Sequence, residues 1–330
     1  MISQQSPAFI IGEIGSNHNL SERTGKKLIE AAAKAGVDAI KFQSLKFDQL
    51  YLPGKYSDSL SRLHQQIDIS DDLLIKFVGY AKKRGLIALS APTYLDSLKL
   101  LKKLNLAAYK IASPVTVGFS SLMTATAKIG KPLIVSTGYC TLGEIDRAVQ
   151  TISASGNRQL VLMHCISSYP VKFQDVNLRF MNLLASRYKC LIGYSDHSLS
   201  VSLPAVAVAL GARVIEKHFT LSRKAKGPDH FYALEPDELA EMVKNIRETE
   251  MALGSARQLL GVEKEMREKI MMKLVAAKDI PAGTILKREH LIFRRAPAGI
   301  EEFNLNKVLG RKVNRSVKKL AVFKWQNIKK

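Results

Sequence analysis

The sequence predicts an α/β protein, a (β/α)8 TIM barrel followed by a small, mostly β module. Three observations lead to this prediction. Eight short apolar, β-branched runs alternate with amphipathic helical segments as far as residue 253. That stretch matches the roughly 250 residues that such a barrel needs. Beyond it the alternation stops, and short β-like runs separated by Pro-Ala-Gly turns take over.

The eight predicted strands share β-branched or apolar residues bounded by turn or helix signals. They are residues 8–14, 38–43, 86–90, 107–111, 132–137, 159–164, 190–195 and 213–218. The segments between them, such as SERTGKKLIEAAAKAG, place apolar residues at helical spacing and end at glycine. A doubly wound open sheet is the alternative fold. It is disfavoured because GEIGSNHN, at the end of the first strand, is not the G-x-G-x-x-G turn of that fold.

Domain boundaries follow from the points at which the pattern changes. We predict a barrel domain over residues 1–253, a polar helical linker over 254–273 and the β-rich module over 274–330. Residues 44–69 make an unusually long connection after the second predicted strand. We interpret this connection as a substrate lid, because long loops in compact domains are usually functional or disordered.

Composition limits the compartment and the partners. The chain has 330 residues, three scattered cysteines and a formal net charge of +21. Three dispersed cysteines do not form a disulfide framework. No apolar run approaches the roughly 18 residues of a membrane span, and the N-terminus lacks the features of a secretory signal. We therefore expect a cytoplasmic protein with no membrane partner.

The positive charge is concentrated near the C-terminus, where residues 262–330 hold 18 Lys and Arg against 7 Asp and Glu. A nucleic-acid surface would account for such an excess. No zinc-finger spacing, RNP-like aromatic motif or basic-helix array accompanies it, so we expect no nucleic-acid partner. The alternative is a basic surface around a site for anionic small molecules.

Polar residues cluster where the predicted strands end, and catalytic groups of a (β/α)8 barrel lie at those C-terminal ends. A purely structural barrel does not require charged groups at so many strand ends. The residues at these positions are Glu13, Asn17, His18, Lys41, Gln43, Lys110, Ser113, Ser136, His164, Ser167, Tyr169, Ser195, Asp196, His197, Glu216, Lys217, His218, Asp229 and His230.

Two histidines, His197 and His218, follow the last two predicted strands. Those strands are neighbours in the barrel, so the two rings should lie side by side at one rim. Neutral imidazoles in that arrangement suit a divalent metal, and a site with only two protein ligands favours Mn²⁺ or Mg²⁺ over closed zinc coordination. The alternative is that each histidine is a hydrogen-bonded structural residue.

Two lysines, Lys41 and Lys110, lie inside apolar strands, where burial of a charge is costly unless an anion neutralises it. A substrate phosphate or carboxylate would do so, with help from the nearby serine hydroxyls. The alternative is an internal ion pair with Glu13 or Glu216.

The segments GEIGSNHN, IKFQ, YKIAS, IVSTG, HCISSYP, GYSDHS, EKHFT and GPDH resemble, in order, the motifs of bacterial sialic acid synthases. The segment VAAKDIPAGTILKREHL resembles the antifreeze-like SAF module that those enzymes carry. The resemblance covers nearly the whole chain. It implies condensation of phosphoenolpyruvate with an N-acylated hexosamine to give a nine-carbon 2-keto acid and phosphate.

The resemblance also implies roles for individual residues. His197 and His218 would hold the metal, which polarises the aldehyde of the open-chain sugar, and Glu13 would activate water or transfer a proton. Catalytic roles fall on Glu13, Lys41, Lys110 and Asp229. Phosphoenolpyruvate would be bound by Lys41, Lys110, Ser113, Ser136, Ser167 and Ser195. The sugar would be bound by Gln43, Tyr169, Asp229 and Arg295.

Arg295 lies in the segment RRAPAGI of the C-terminal module. The resemblance implies that this module caps the barrel of a second subunit in a domain-swapped homodimer. An arginine of the module would then reach the acyl group of the sugar. The structural alternative for Arg295 is a solvated surface charge.

The acceptor is the less defined substrate, because the chain departs from the family's pattern near the sugar end, at Leu20, over PVTVGFSS and in the connection 44–69. Ser167 is a further departure, at the expected phosphoenolpyruvate site. N-acetylmannosamine is the first expectation, and the 2,4-diacetamido precursors of legionaminic and pseudaminic acids are alternatives. Two further hypotheses are a seven- or eight-carbon keto-acid synthase or barrel aldolase, and a catalytically silent protein that binds carbohydrate or ice.

Overall fold

The computed structural model describes residues 2–52, 55, 67–254 and 258–329. The chain divides into two compact units, residues 1–254 and 255–330. Of the predicted lid, residues 53, 54 and 56–66 lie outside the described residues, and the described part contains the short helix Phe47–Leu50. Within the described ranges, no helix has the length and apolarity needed to cross a membrane.

The first unit is a near-closed barrel of eight parallel strands, as the sequence predicts. The strands are β1 (Phe9–Glu13), β2 (Ala39–Ser44), β3 (Ile87–Pro92), β4 (Tyr109–Ile111), β5 (Leu133–Ser136), β6 (Leu160–Cys165), β7 (Leu191–Asp196) and β8 (Val214–His218). Their hydrogen-bonded order is β3-β2-β1-β8-β7-β6-β5-β4, and β3 lies beside β4 where the barrel closes. Each observed strand overlaps one of the eight predicted segments.

One or two helices follow each strand and pack on the outside of the barrel. They are α1 (Glu22–Ala35), α2 (Phe47–Leu50), α3 (Asp71–Lys83), α4 (Ser97–Lys103), α5 (Ser113–Gly118), α6 (Ser120–Ala127), α7 (Leu142–Ala154), α8 (Phe180–Tyr188), α9 (Leu203–Ala209) and α10 (Pro236–Leu253). Local sequence fixes where they begin: the Ser21 hydroxyl accepts from Thr24 N–H at the start of α1, and Thr141 forms a capping box with Glu144 at the start of α7.

On β1, β2 and β8, the inward-facing side chains change from apolar to charged from one inward position to the next. Ile11, Ala39 and Val214 belong to a buried apolar cluster at the level of the first inward-facing residues. Because side chains alternate along a strand, the next inward-facing positions on β1, β2 and β8 are Glu13, Lys41 and Glu216. The apolar layer therefore forms the floor of a charged mouth at the C-terminal ends of the strands.

The second unit is small and rich in β-structure. It contains α11 (Gly261–Ile270), β9 (Met272–Ala276), β10 (Leu291–Arg295) and the short α12 (Leu305–Val308). Strands β9 and β10 pair antiparallel, and isolated bridges such as Val275 to Val322 extend the pairing. Its own apolar core includes Leu274 and Phe323. This architecture confirms the predicted mostly β module.

Candidate active site

The strand register brings the charged residues of the mouth together. Glu13 on β1 lies opposite Lys41 on β2 and opposite His218 on β8. Glu216 on β8 lies opposite Ser195 on β7. Residues that are far apart in sequence thus become neighbours, because parallel strands of one barrel end at the same rim.

Two buried lysines and two buried glutamates form one ionic network at this rim. Lys41 Nζ lies 3.1 Å from Glu13 Oε1 and 3.6 Å from Glu216 Oε1. Lys110 Nζ lies 3.6 Å from Glu216 Oε1 and donates to the Ser136 hydroxyl. The internal carboxylate partners that the sequence leaves open for both lysines are therefore present. Glu216 is the one residue of the network that contacts both lysines.

The two glutamates of the network differ in electrostatic environment. Burial raises the pKa of Glu13 to about 7, against the opposing effect of Lys41. Burial also raises the pKa of Glu216, but Lys110 and Lys41 outweigh it and hold the pKa at about 2. Near neutral pH, Glu216 is a carboxylate while Glu13 can carry or release a proton. The Oε2 atoms of both residues are buried without a hydrogen-bond partner, as for groups that face a ligand position.

Other polar side chains of the mouth orient these glutamates. The Ser195 hydroxyl donates to Glu216 Oε1 at 3.1 Å, and Gln43 Nε2 donates to Glu13 Oε1 at 2.7 Å. Gln43, predicted as a sugar contact, is thus placed where it holds Glu13. Its contact with a sugar stays a prediction.

A cradle of serine hydroxyls surrounds Gly138 in the loop after β5. Gly138 N–H donates to Ser113 Oγ at 3.0 Å. A Cβ at Gly138 would lie 2.8 Å from Ser113 Oγ and 2.2 Å from Ser167 Oγ, so only glycine permits this approach. The predicted anion-binding serines Ser113 and Ser167 therefore converge at one point, next to the loop that begins at Ser136.

The two predicted metal ligands lie side by side, as their positions in the sequence imply. The ring centroids of His197 and His218 are 5.5 Å apart. His197 Nδ1 donates to the Ile166 carbonyl at 2.8 Å, which leaves Nε2 as the ring nitrogen available to a ligand. His218 Nδ1 is buried and has no hydrogen-bond partner. Burial lowers the pKa of His218 to about 3, so this ring is neutral.

These features fit a divalent cation. A neutral imidazole with an unpartnered buried nitrogen, next to a second imidazole whose Nδ1–H is fixed by a carbonyl, is a donor set that metals use. Burial lowers the pKa of His197, but Cys165 and the Ile166 carbonyl outweigh this effect, so the pKa lies above its usual value. Within the described ranges, no group of three or more His, Cys, Asp or Glu is arranged as a metal site. Water and substrate would have to complete the coordination of an ion on the two histidines.

Asp229, in the loop after β8, lies beside this histidine pair. Its Oδ2 accepts from Ser16 N–H and from the Ser16 hydroxyl, both at 2.8 Å. Gly15 has a φ of +53°, and a Cβ there would lie 2.5 Å from Asp229 Oδ2 and 3.3 Å from the His218 ring. Gly15, the second glycine of the GEIG segment, therefore permits the close approach of the loops after β1 and β8.

Aromatic rings cover the histidines. The Tyr169 ring centroid lies 4.2 Å from that of His197, and the Tyr232 centroid lies 5.0 Å from that of His218. The sequence pattern singled out Tyr169 but missed Tyr232, because a tyrosine fourteen residues beyond the end of a strand carries no signal by itself. Ser16, Cys165 and Gly138 were also missed as contributors. The Cys165 thiol lies 3.9 Å from His197 Nδ1.

Three polar residues at strand ends of the barrel, Asp196, Lys217 and His164, lie outside the site. Asp196 pairs with Lys217, and both side chains are buried under the loop after β7, where Asp196 also accepts from Tyr194 and Ser198. His164 bonds to the Val176 carbonyl at 2.6 Å. Arg295 lies in the second unit, at the exposed end of β10. Its predicted role toward the sugar stays a prediction.

Comparison with known proteins identifies the family. Residues 28–258 match the NeuB family and residues 273–329 match the SAF domain. The chain belongs to the NeuB family. The resemblance seen in the sequence motifs is thereby confirmed, together with the SAF module that it implied.

Several relatives of this NeuB-family chain are synthases of legionaminic acid, pseudaminic acid or N-acetylneuraminate 9-phosphate. The N,N'-diacetyllegionaminic acid synthase of Campylobacter jejuni is 35% identical, over 94% of this chain and 97% of the relative. The human N-acetylneuraminate-9-phosphate synthase is 33% identical, over 94% and 90% of the two chains. The crystal structure of the sialic acid synthetase of Leptospira borgpetersenii, in complex with citrate, has a TM-score of 0.74 and 32% identity, over 80% and 91% of the chains. These relatives support nonulosonic acid synthesis.

Proposed function

We propose that the chain condenses phosphoenolpyruvate with an N-acyl hexosamine and water, releasing a nonulosonic acid and phosphate. N-acetylmannosamine is the first candidate acceptor. The observation that carries the proposal is one barrel mouth in which two buried lysines and a serine cradle lie beside a pair of imidazoles. The first group suits a multiply charged small anion, and the second suits a carbonyl acceptor held by a cation.

The lysines and hydroxyls bind the anionic substrate. Lys41 and Lys110 supply two cations above the apolar floor of the mouth, while the Ser113 and Ser167 hydroxyls and Gly138 line its side. Ser136 and Ser195 contact the network through Lys110 and Glu216. A phosphate or carboxylate at this position would replace part of the neutralisation that Glu216 gives to both lysines.

Bond changes can be assigned to this geometry. C3 of phosphoenolpyruvate forms a bond to the aldehyde carbon of the open-chain sugar, whose oxygen gains a proton. Water adds at C2, and the C2–O bond to phosphate breaks, releasing inorganic phosphate and the 2-keto acid. Glu13, with its pKa of about 7, holds or accepts the proton beside Lys41. His197 and His218 would hold Mn²⁺ or Mg²⁺, which supplies Lewis acidity toward the aldehyde oxygen.

A 2,4-diacetamido sugar is the second candidate acceptor. The observation that favours it is the 35% identity to a diacetyllegionaminic acid synthase over nearly the full length of both chains. The anion-binding half of the site is the same for either acceptor, because both reactions use phosphoenolpyruvate. The two candidates therefore differ only at the end of the mouth that holds Tyr169 and Asp229.

An acceptor panel tests the proposal. Purified protein, phosphoenolpyruvate and Mn²⁺ are incubated with N-acetylmannosamine, its 6-phosphate, N-acetylglucosamine or the 2,4-diacetamido precursors of legionaminic and pseudaminic acids. We expect phosphate release that requires one acceptor and yields an equal amount of a nine-carbon 2-keto acid. Absence of acceptor-dependent release across the panel would rule out the proposed reaction. Parallel incubations replace these acceptors with four- and five-carbon aldose phosphates, and release with one of those instead would indicate a seven- or eight-carbon keto-acid synthase.

A further inference from the structure

Tyr232 lies in the loop after β8 and has no part in the function proposed above. Its side chain is only 4% exposed, whereas its neighbour Phe231 is 53% exposed. A tyrosine buried at the mouth of a polar site must place both a ring and a hydroxyl group. Both parts of Tyr232 contact residues of the acceptor end.

The hydroxyl group holds Asp229. Tyr232 donates to Asp229 Oδ1 at 2.6 Å, while Ser16 occupies Asp229 Oδ2 with two donors at 2.8 Å. Three donors fix the rotation of the carboxylate, and Oδ1 keeps acceptor capacity for a hydroxyl group of a substrate. Burial raises the pKa of Tyr232, so its phenol stays protonated and remains a donor.

The ring of Tyr232 forms a wall together with Tyr169. The two ring centroids are 4.8 Å apart, and Tyr232 stands at an angle of 67° to the His218 ring. We call this pair the tyrosine wall. It occupies the space beside His218 on the side of Asp229. Aromatic faces pack well against the C–H faces of sugars and against acyl methyl groups.

We propose that Tyr232 is a positioning residue for the acceptor sugar, in which the hydroxyl group orients Asp229 and the ring limits the size of the acyl group beside His218. This inference rests on the proposed function. The two parts of the side chain have separable consequences, since one variant removes only the hydroxyl group and another removes the ring as well. A purely structural role, anchoring the loop, would lower stability without changing the preference among acceptors.

Tyr232→Phe tests the hydroxyl group. We expect the KM for the acceptor to rise by about tenfold, as for loss of a hydrogen bond to a charged group, with the KM for phosphoenolpyruvate changed less than about twofold. The melting temperature should stay near that of the wild type. Tyr80→Phe is the matched control, because Tyr80 also donates to a carboxylate, Glu30, but on the outer helices α1 and α3. It should leave both KM values unchanged.

Tyr232→Ala tests the ring. With an acceptor whose N-acyl chain is two carbons longer than acetyl, the ratio of kcat/KM for the long over the short acceptor should rise by about tenfold. In Tyr232→Phe this ratio should stay at the wild-type value, because the wall is retained.

Three outcomes separate the possibilities. In the first, the wild type is active, but Tyr232→Phe has the same acceptor KM as Tyr80→Phe, or its KM values for the acceptor and for phosphoenolpyruvate rise equally. The positioning role is then wrong, and the proposed function stands. An unchanged acceptor ratio in Tyr232→Ala overturns the role of the ring. If wild type is inactive with every acceptor, the proposed function fails, and the inference about Tyr232 fails with it.

Discussion

Glu216→Gln should lower the free energy of unfolding of the barrel by roughly 3 kcal/mol. Glu216 Oε1 lies within 3.6 Å of both Lys41 and Lys110, and all three side chains are almost fully buried. Glutamine keeps the size of the side chain but removes the charge that neutralises two buried cations. Breaking a buried ion pair by removal of one partner costs several times more than loss of a surface pair.

Urea titration followed by far-ultraviolet circular dichroism measures this loss. The single tryptophan, Trp325, lies in the second unit, so its fluorescence reports the unfolding of that unit separately. Glu30→Gln is the matched control, because Glu30 pairs with Arg84 at 2.8 Å but both side chains are about half exposed. Glu30→Gln should lower the free energy of unfolding by less than about 1 kcal/mol.

The same variant tests anion binding without turnover. An anion bound between Lys41 and Lys110 would supply the charge that Glu216→Gln removes, so inorganic phosphate should stabilise the variant more than the wild type. We expect a larger rise in melting temperature for the variant at each phosphate concentration, and equal rises for Glu30→Gln and wild type. Equal rises in all three proteins would show that phosphate does not bind at the lysines.

His218→Ala should lower acceptor-dependent phosphate release by at least about 1000-fold, since a cation at a carbonyl oxygen contributes several kcal/mol to the barrier. His218 Nδ1 is buried and unpartnered, and its ring is neutral, so alanine removes the proposed metal ligand without removing a hydrogen bond of Nδ1. The fold, followed by circular dichroism, should be retained. Mn²⁺ binding, followed by electron paramagnetic resonance, should be lost or weakened at least about tenfold.

His164→Asn is the control for this variant. His164 is buried on the neighbouring part of the barrel but bonds to the Val176 carbonyl and stacks on Tyr194, with no contact to His197 or His218 among the described ring contacts. His164→Asn should lower the stability of the protein and leave Mn²⁺ binding unchanged. Chelator-sensitive turnover that survives in His218→Ala would contradict the assignment of the metal to the histidine pair.

Much of the barrel could be predicted because apolar strands and amphipathic helices leave a periodic trace in the sequence. The two histidines and two lysines could be assigned to one rim, because strand ends of a parallel barrel converge. Strand alternation could also have excluded Asp196 and Lys217. They are one position out of step with Ser195 and Glu216, and they pair with each other away from the mouth.

Loop contacts could not be predicted in the same way. Asp229 is held by Ser16 from the loop after β1 and by Tyr232 from its own loop, and neither distance follows from sequence spacing. The sequence does not identify the partners of Lys41 and Lys110, because a buried lysine indicates that an anion is needed but does not indicate which anion. Glu216 supplies that anion for both lysines.

Phosphoenolpyruvate labelled with ¹⁸O in the oxygen that bridges C2 and phosphorus tests the central claim most directly. The proposed chemistry breaks the C2–O bond, so the label should leave in the inorganic phosphate, together with one nine-carbon 2-keto acid for each phosphate released. Mass spectrometry of both products measures this. Label retained in the keto acid, or in pyruvate formed without consumption of the acceptor, would contradict the account.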